Sequence, residues 1–104
     1  MRVPSAVIQC ELYRLLRNEG LCVKPEFALS AVAGKRKMMR ADLAIQKGYK
    51  IIGLIECKNS LSTPNQDSIQ WKNYEATGIP FRFCMNWPDM DNIVAWAISL
   101  WKNS

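Results

Sequence analysis

Arg40-Ala41-Asp42-Leu43-Ala44-Ile45-Gln46-Lys47-Gly48-Tyr49-Lys50-Ile51-Ile52-Gly53-Leu54-Ile55-Glu56-Cys57-Lys58 is the stretch that decides the fold. Two apolar-rich segments flank Gly48, so the stretch reads as a β-hairpin whose turn the glycine makes easy. With the turn centred near Tyr49, residues whose numbers sum to about 98 face one another, and Asp42 lies opposite Glu56. Lys58, two residues on, projects from the same face. A slip of one residue would put the two carboxylates on opposite faces. Ile51, Ile52, Leu54 and Ile55 make the second segment apolar on both faces, as in a strand covered on two sides. Glu56 and Lys58 therefore sit at the end of a central strand, where charge is costly unless it binds something.

Working outward, Val7, Ile8, Leu12, Leu15 and Leu16 recur at helical spacing after Pro4-Ser5, and the helix ends near Gly20. Glu26-Phe27-Ala28-Leu29-Ser30-Ala31-Val32 reads as a strand. Beyond the hairpin, Ser62-Thr63-Pro64-Asn65 is a helix-start signal, and the segment from Gln66 to Thr77 reads as a helix closed by Gly78. Pro80-Phe81-Arg82-Phe83-Cys84-Met85 alternates as a strand. Pro88-Asp89 opens a last amphipathic helix carrying Ile93, Trp96, Ala97, Leu100 and Trp101. The order is α-β-β-β-α-β-α, a compact mixed sheet flanked by helices.

At 104 residues the chain is expected to form one domain, residues 1–104, with its site built on the core itself. Its 14 basic and 9 acidic residues leave a net charge of +5, which suits a polyanionic partner. Four of the basic residues, Lys35, Arg36, Lys37 and Arg40, fall within six positions; they read either as phosphate contacts or as a solvated loop. Cys10, Cys22, Cys57 and Cys84 are irregularly spaced, and there is no histidine. Zinc sites, histidine-based triads and histidine general bases are thereby excluded. The apolar runs are too short for a signal peptide or a membrane helix, so a cytoplasmic protein with free thiols and no membrane partner is expected.

Carboxylates and lysine are left to carry the chemistry. Phosphodiester hydrolysis needs an activated water and stabilisation of charge on the phosphate, and hard divalent ions supply both. Magnesium takes oxygen ligands, usually one or two carboxylates with waters and phosphate oxygens. Asp42 and Glu56 supply that minimum, and the Cys57 carbonyl can add a backbone oxygen where strand pairing fades. Adjacent carboxylates repel, so without a cation the pair holds a proton, and both favour the ammonium form of Lys58. Lys58 can then orient the attacking water and neutralise charge in the transition state. The bland reading of Glu56-x-Lys58 is a cross-strand ion pair on a solvated face.

Glu11 falls within the apolar stripe of the first helix and reads either as a third metal-shell carboxylate or as a surface partner of Arg14 or Arg17. Arg40 shares the face of Asp42. Gln70 and Tyr74, four apart on one helix face, can reach toward Lys58, a water or a phosphate, or belong to the core and its rim. Trp71 and Trp101 suit either the core or a subunit interface.

Arg40-Ala41-Asp42-Leu43-Ala44-Ile45 and Ile55-Glu56-Cys57-Lys58, preceded by a helix with Glu11 and followed by Gln70-x-x-x-Tyr74, resemble the PD-(D/E)XK nuclease superfamily over nearly the whole chain. The run from Glu56 through Leu61-Ser62-x-x-x-Gln66 to Trp71 and Gly78-Ile79-Pro80 is most similar to small virus-type replication-repair nucleases (VRR-NUC). Ala41 stands where the superfamily has its naming proline, and Gln66 and Gln70 both compete for the family glutamine. The resemblance implies a restriction-endonuclease-like αβββαβ core with a C-terminal helix. It implies Mg²⁺ or Mn²⁺ on Asp42, Glu56, Glu11 and the Cys57 carbonyl, with Lys58 as catalytic lysine and Gln70 as helper. DNA contacts are then expected from Lys35, Arg36, Lys37, Arg40 and Tyr74. The implied activity is a homodimeric endodeoxyribonuclease selective for branched DNA, of phage or viral origin. An exonuclease and a noncatalytic DNA-binding module of the same fold are the competing expectations.

Overall fold

A computed structural model of the chain describes residues 4–28, 40–58 and 69–104. The elements are α1 (Ser5–Asn18), β1 (Cys22–Ala28), β2 (Arg40–Lys47), β3 (Lys50–Cys57), α2 (Ile69–Glu75), β4 (Phe81–Cys84) and α3 (Trp87–Lys102). Their order is the one read from the sequence. The four strands form one sheet in the order β1-β2-β3-β4. β2 pairs antiparallel with β1 and β3, whereas β3 and β4 run parallel, joined by a crossover that contains α2.

The hairpin turns on Gly48 and Tyr49, with Lys47 opposite Lys50. Gly48 has a φ of +64°, a left-handed conformation that glycine adopts without steric penalty at the first position of such turns. Continued without interruption, this two-residue turn would face Asp42 with Ile55. A bulge between Ile45 and Gln46 and their partners on β3 intervenes: Gln46 pairs with Ile51, but Ile45 pairs with Gly53. Ile52 is the extra residue. Beyond it the register becomes Ala44 with Leu54 and Leu43 with Ile55, which carries Glu56 opposite Asp42. The bulge, rather than a turn centred on Tyr49, sets the facing pair.

β3 is covered on both faces, as its apolar run requires. On one side Leu43, Ile45, Ile55 and Cys57 pack with Ile8, Leu12 and Leu16 of α1 and Met90, Ile93 and Ala97 of α3. On the other, Ala44 and Leu54 pack with Tyr74 of α2, flanked by Phe27, Ile51, Ile79, Phe81 and Phe83. Gly53 lets α3 approach: a Cβ there would lie 2.9 Å from Leu100 Cδ1 and 3.2 Å from the Trp96 ring. α3 is fixed at both ends. The Asn86 side chain accepts from the Asp89 N–H, and Lys47 Nζ donates to the carbonyls of Trp101 and Ser104 at 2.7 and 2.8 Å.

The start of the first strand and the end of the second helix differ from the sequence reading, the helix closing at Glu75 rather than Thr77. The first strand begins at Cys22 rather than Glu26, because Val23 is needed in the core and Pro25 is tolerated on a sheet edge, where its missing N–H disrupts no ladder. The second helix is described only from Ile69. The start signal at Ser62-Thr63-Pro64-Asn65, Gln66 and the basic residues Lys35, Arg36 and Lys37 lie outside the described residues.

Candidate functional site

Asp42 and Glu56 come together at the end of the β2–β3 ladder. The last register pair before them is Leu43 with Ile55. One residue further, the Cys57 N–H donates to Asp42 Oδ2 at 2.8 Å. A side chain thus takes a donor that the ladder would otherwise use. Glu56 is held from the other side by α2: Tyr74 Oη donates to its Oε2 at 2.6 Å and Gln70 Nε2 donates to the same oxygen at 3.1 Å. The four-residue spacing of Gln70 and Tyr74 on one helix face is what allows both to reach it. These bonds fall on Asp42 Oδ2 and Glu56 Oε2, and the two carboxyls are also hydrogen-bonded to each other.

The electrostatics follow from this enclosure. Burial raises the Glu56 carboxyl from 4.5 to about 8; a hydrogen bond with Asp42 and its charge add to the rise, and the Tyr74 hydroxyl and Lys58 ammonium offset part of it. At neutral pH and without a cation, the pair therefore holds a proton. Burial first, and then the bond to Glu56, raise the Tyr74 phenol far above its ordinary range, so it stays a donor. Lys58 is half-buried just past β3, its backbone N–H on the Cys84 carbonyl at 2.9 Å.

The other expected residues are placed differently. Glu11 is bound by its neighbour Arg14, through Nη2 on Oε1 and through Nε on Oε2 at 3.2 Å. The side-chain hydrogen bond from Arg14 holds the Glu11 carboxyl below its ordinary value. Of its two readings, this is the surface pair; Arg14, one turn on, is simply nearer than the strand ends. Tyr74, expected among the DNA contacts, is 1% exposed and is an internal support of Glu56. Arg40 is exposed and pairs with Glu26 at 3.4 Å.

Two participants went unread in the sequence. Gln9 of α1 donates to the Asp42 carbonyl at 3.2 Å and to Glu26 Oε1 at 3.1 Å. Glu26 has a φ of +52°, rare for a residue with a side chain. The β1–β2 register steps from Pro25 with Leu43 to Phe27 with Ala41, omitting the Glu26–Asp42 pair. Gln9 thus serves the Asp42 carbonyl where Glu26 has left the ladder. A proline followed by a glutamate in an edge strand was the available signal.

Among the described residues, no cluster of three or more histidine, cysteine, aspartate or glutamate side chains converges. A cation here would rest on two carboxylates, a donor set that suits a hard ion retaining several waters and not one that demands thiolate or imidazole. No helix among the described residues is long and apolar enough to cross a membrane. No protein-family model, curated protein or solved structure matches the chain.

Proposed function

We propose that this chain is a divalent-metal-dependent deoxyribonuclease of the PD-(D/E)XK type, cutting DNA internally and selecting branched or junction structures, as a homodimer. The observation that carries the reading is the convergence of Asp42 and Glu56, each tied to the scaffold through one oxygen and hydrogen-bonded to the other, beside Lys58. Two carboxylates that share a proton in the absence of a cation are poorly suited to meet a phosphate directly. They suit a metal bridge between protein and phosphate.

Asp42 and Glu56 are the residues that would hold Mg²⁺ or Mn²⁺, with the Cys57 carbonyl as a further oxygen. When bound, such an ion supplies Lewis-acid stabilisation of the phosphate and acidifies a water. The chain's own groups do the rest. Tyr74 and Gln70 fix the rotamer of Glu56, and the Cys57 N–H fixes Asp42, so the carboxylates need no reorganisation when substrate arrives. Lys58, drawn to the carboxylates, orients the attacking water and offsets charge growing on the phosphate oxygens.

The test is a panel of end-labelled duplex, flap, four-way junction and closed-circular DNAs incubated with Mg²⁺ or Mn²⁺. Cutting of closed circles that EDTA abolishes supports the endonuclease. Degradation confined to free ends points to an exonuclease on the same residues. Binding without cutting in either metal, or cutting that survives Asp42→Ala and Lys58→Ala, would remove the catalytic reading.

A further inference from the structure

Beside the carboxylates lies a second feature that the proposed chemistry does not use. An aromatic groove of about 650 Å³ runs between α2 and β4, lined by Trp71, Phe81, Phe83 and Ile79, with Glu75 and Arg82 at its rim. Its size is that of a small-molecule site. The Trp71 and Phe83 rings are stacked with centroids 5.6 Å apart, and Phe81 meets Trp71 edge-on at 5.2 Å. This is a braced aromatic wall, and Trp71 and Phe83 are only half-buried.

The groove is one strand away from the carboxylates. Glu56 and Phe83 are direct partners in the parallel β3–β4 register, so their side chains leave the same sheet face from strands about 4.8 Å apart. On α2, Gln70, which bonds Glu56, immediately precedes Trp71. The groove therefore adjoins Glu56 across one strand and one helix position. The rim carries groups a base edge can use. Leu54 N–H bonds the Pro80 carbonyl and Lys58 N–H the Cys84 carbonyl, so the even-numbered groups of β4 face β3 and the Phe83 N–H faces away from it, toward the edge of the sheet formed by the described strands. The Glu75 carboxylate can accept from an exocyclic amino group.

We infer that this groove is a stacking subsite for an unpaired nucleobase next to the scissile phosphate; the inference rests on the nuclease reading of Asp42, Glu56 and Lys58. A base inside a duplex has both faces covered by its neighbours and cannot stack on Trp71. The subsite therefore selects DNA with an unpaired nucleotide at the cut, such as a flap, a single strand or an opened junction, over continuous duplex. Aromatic stacking tolerates any base, so the selection is for structure and not for sequence.

The test uses the intact protein and single-stranded oligonucleotides with 2-aminopurine moved one position at a time, in Ca²⁺ in place of Mg²⁺. One position should show quenching on binding, and an abasic site there should weaken binding about 5- to 150-fold. Trp71→Leu should abolish the quenching and reproduce the loss. The abasic series needs no protein variant, so misfolding of Trp71→Leu leaves the test intact. Quenching at no position, or an abasic series flat within twofold, overturns the subsite. If cleavage in Mg²⁺ is normal while the subsite fails, only this inference falls; if Trp71-dependent quenching appears without cleavage in any metal, the groove binds an unpaired base but the nuclease reading falls, and with it the placement beside a scissile phosphate.

Discussion

Replacing Glu56 by glutamine should flatten the pH dependence of stability in metal-free protein. The carboxyl is raised from 4.5 to about 8, first by burial and then by Asp42. A raised acid binds its proton more tightly in the folded chain than in the unfolded one. Its contribution is therefore fully present below about pH 4.5 and is lost as pH climbs through about 8. At about 1.4 kcal/mol per pH unit, the rise corresponds to about 5 kcal/mol before screening. Glu56 is only partly buried, and solvent near the carboxyl reduces this to about 2 kcal/mol between about pH 5 and 9. Glutamine keeps an oxygen for the Tyr74 hydroxyl and cannot ionise. Urea unfolding of both proteins in EDTA, at constant ionic strength, gives the difference directly. Wild type should lose about 2 kcal/mol relative to Glu56→Gln across that range; parallel curves would refute the reasoning. The comparison also cancels any titration of Cys84, whose thiol is lowered chiefly by its hydrogen bond with Cys57.

Three further substitutions probe the supports. Tyr74→Phe removes the hydroxyl at 2.6 Å from Glu56 and should cost about 1–3 kcal/mol in urea unfolding, with about a 10- to 100-fold loss of metal affinity by titration; an unchanged affinity would mean that Glu56 needs no positioning. Gly53→Val forces a side chain into Leu100 and Trp96 and should destabilise by about 1–3 kcal/mol, whereas a neutral result would show that α3 yields freely. Glu26→Gly relieves the left-handed backbone at +52° and loses an exposed ion pair with Arg40 and an exposed hydrogen bond from Gln9, so stability should rise by about 1 kcal/mol. A loss of that size would instead show that the Gln9–Glu26 bond matters more than the strain.

The order of elements was legible because each carries its own period. Ile51 to Ile55 read as a doubly covered strand, and α1 and α3 declared themselves through Leu12 and Leu16, and through Ile93 and Ala97, all buried. Asp42 opposite Glu56 was legible as a sum of residue numbers, but for an incomplete reason. The turn is two residues long, and Ile52 supplies the missing step as a bulge, a feature that depends on how both faces pack and leaves no mark in the hairpin sequence. Gln70 and Tyr74 were legible as a helix pair. That Tyr74 would be internal followed only from the aromatic packing with Phe81 and Phe83. Glu11 stood in an apolar stripe, yet Arg14 lay three residues away. Spacing alone does not decide between a local partner and a distant one, and the local pair carries the smaller entropic cost.

Asp42 and Glu56 should act together as one cation site. Calorimetric titration of Mn²⁺ into the protein without DNA, repeated at about pH 7 in buffers of different ionisation enthalpy, tests it most directly. Wild type should bind about one ion per chain and release about one proton, the one Glu56 holds, and Asp42→Ala and Glu56→Gln should lose that binding. Absence of binding in wild type, or binding that both variants retain, would contradict it.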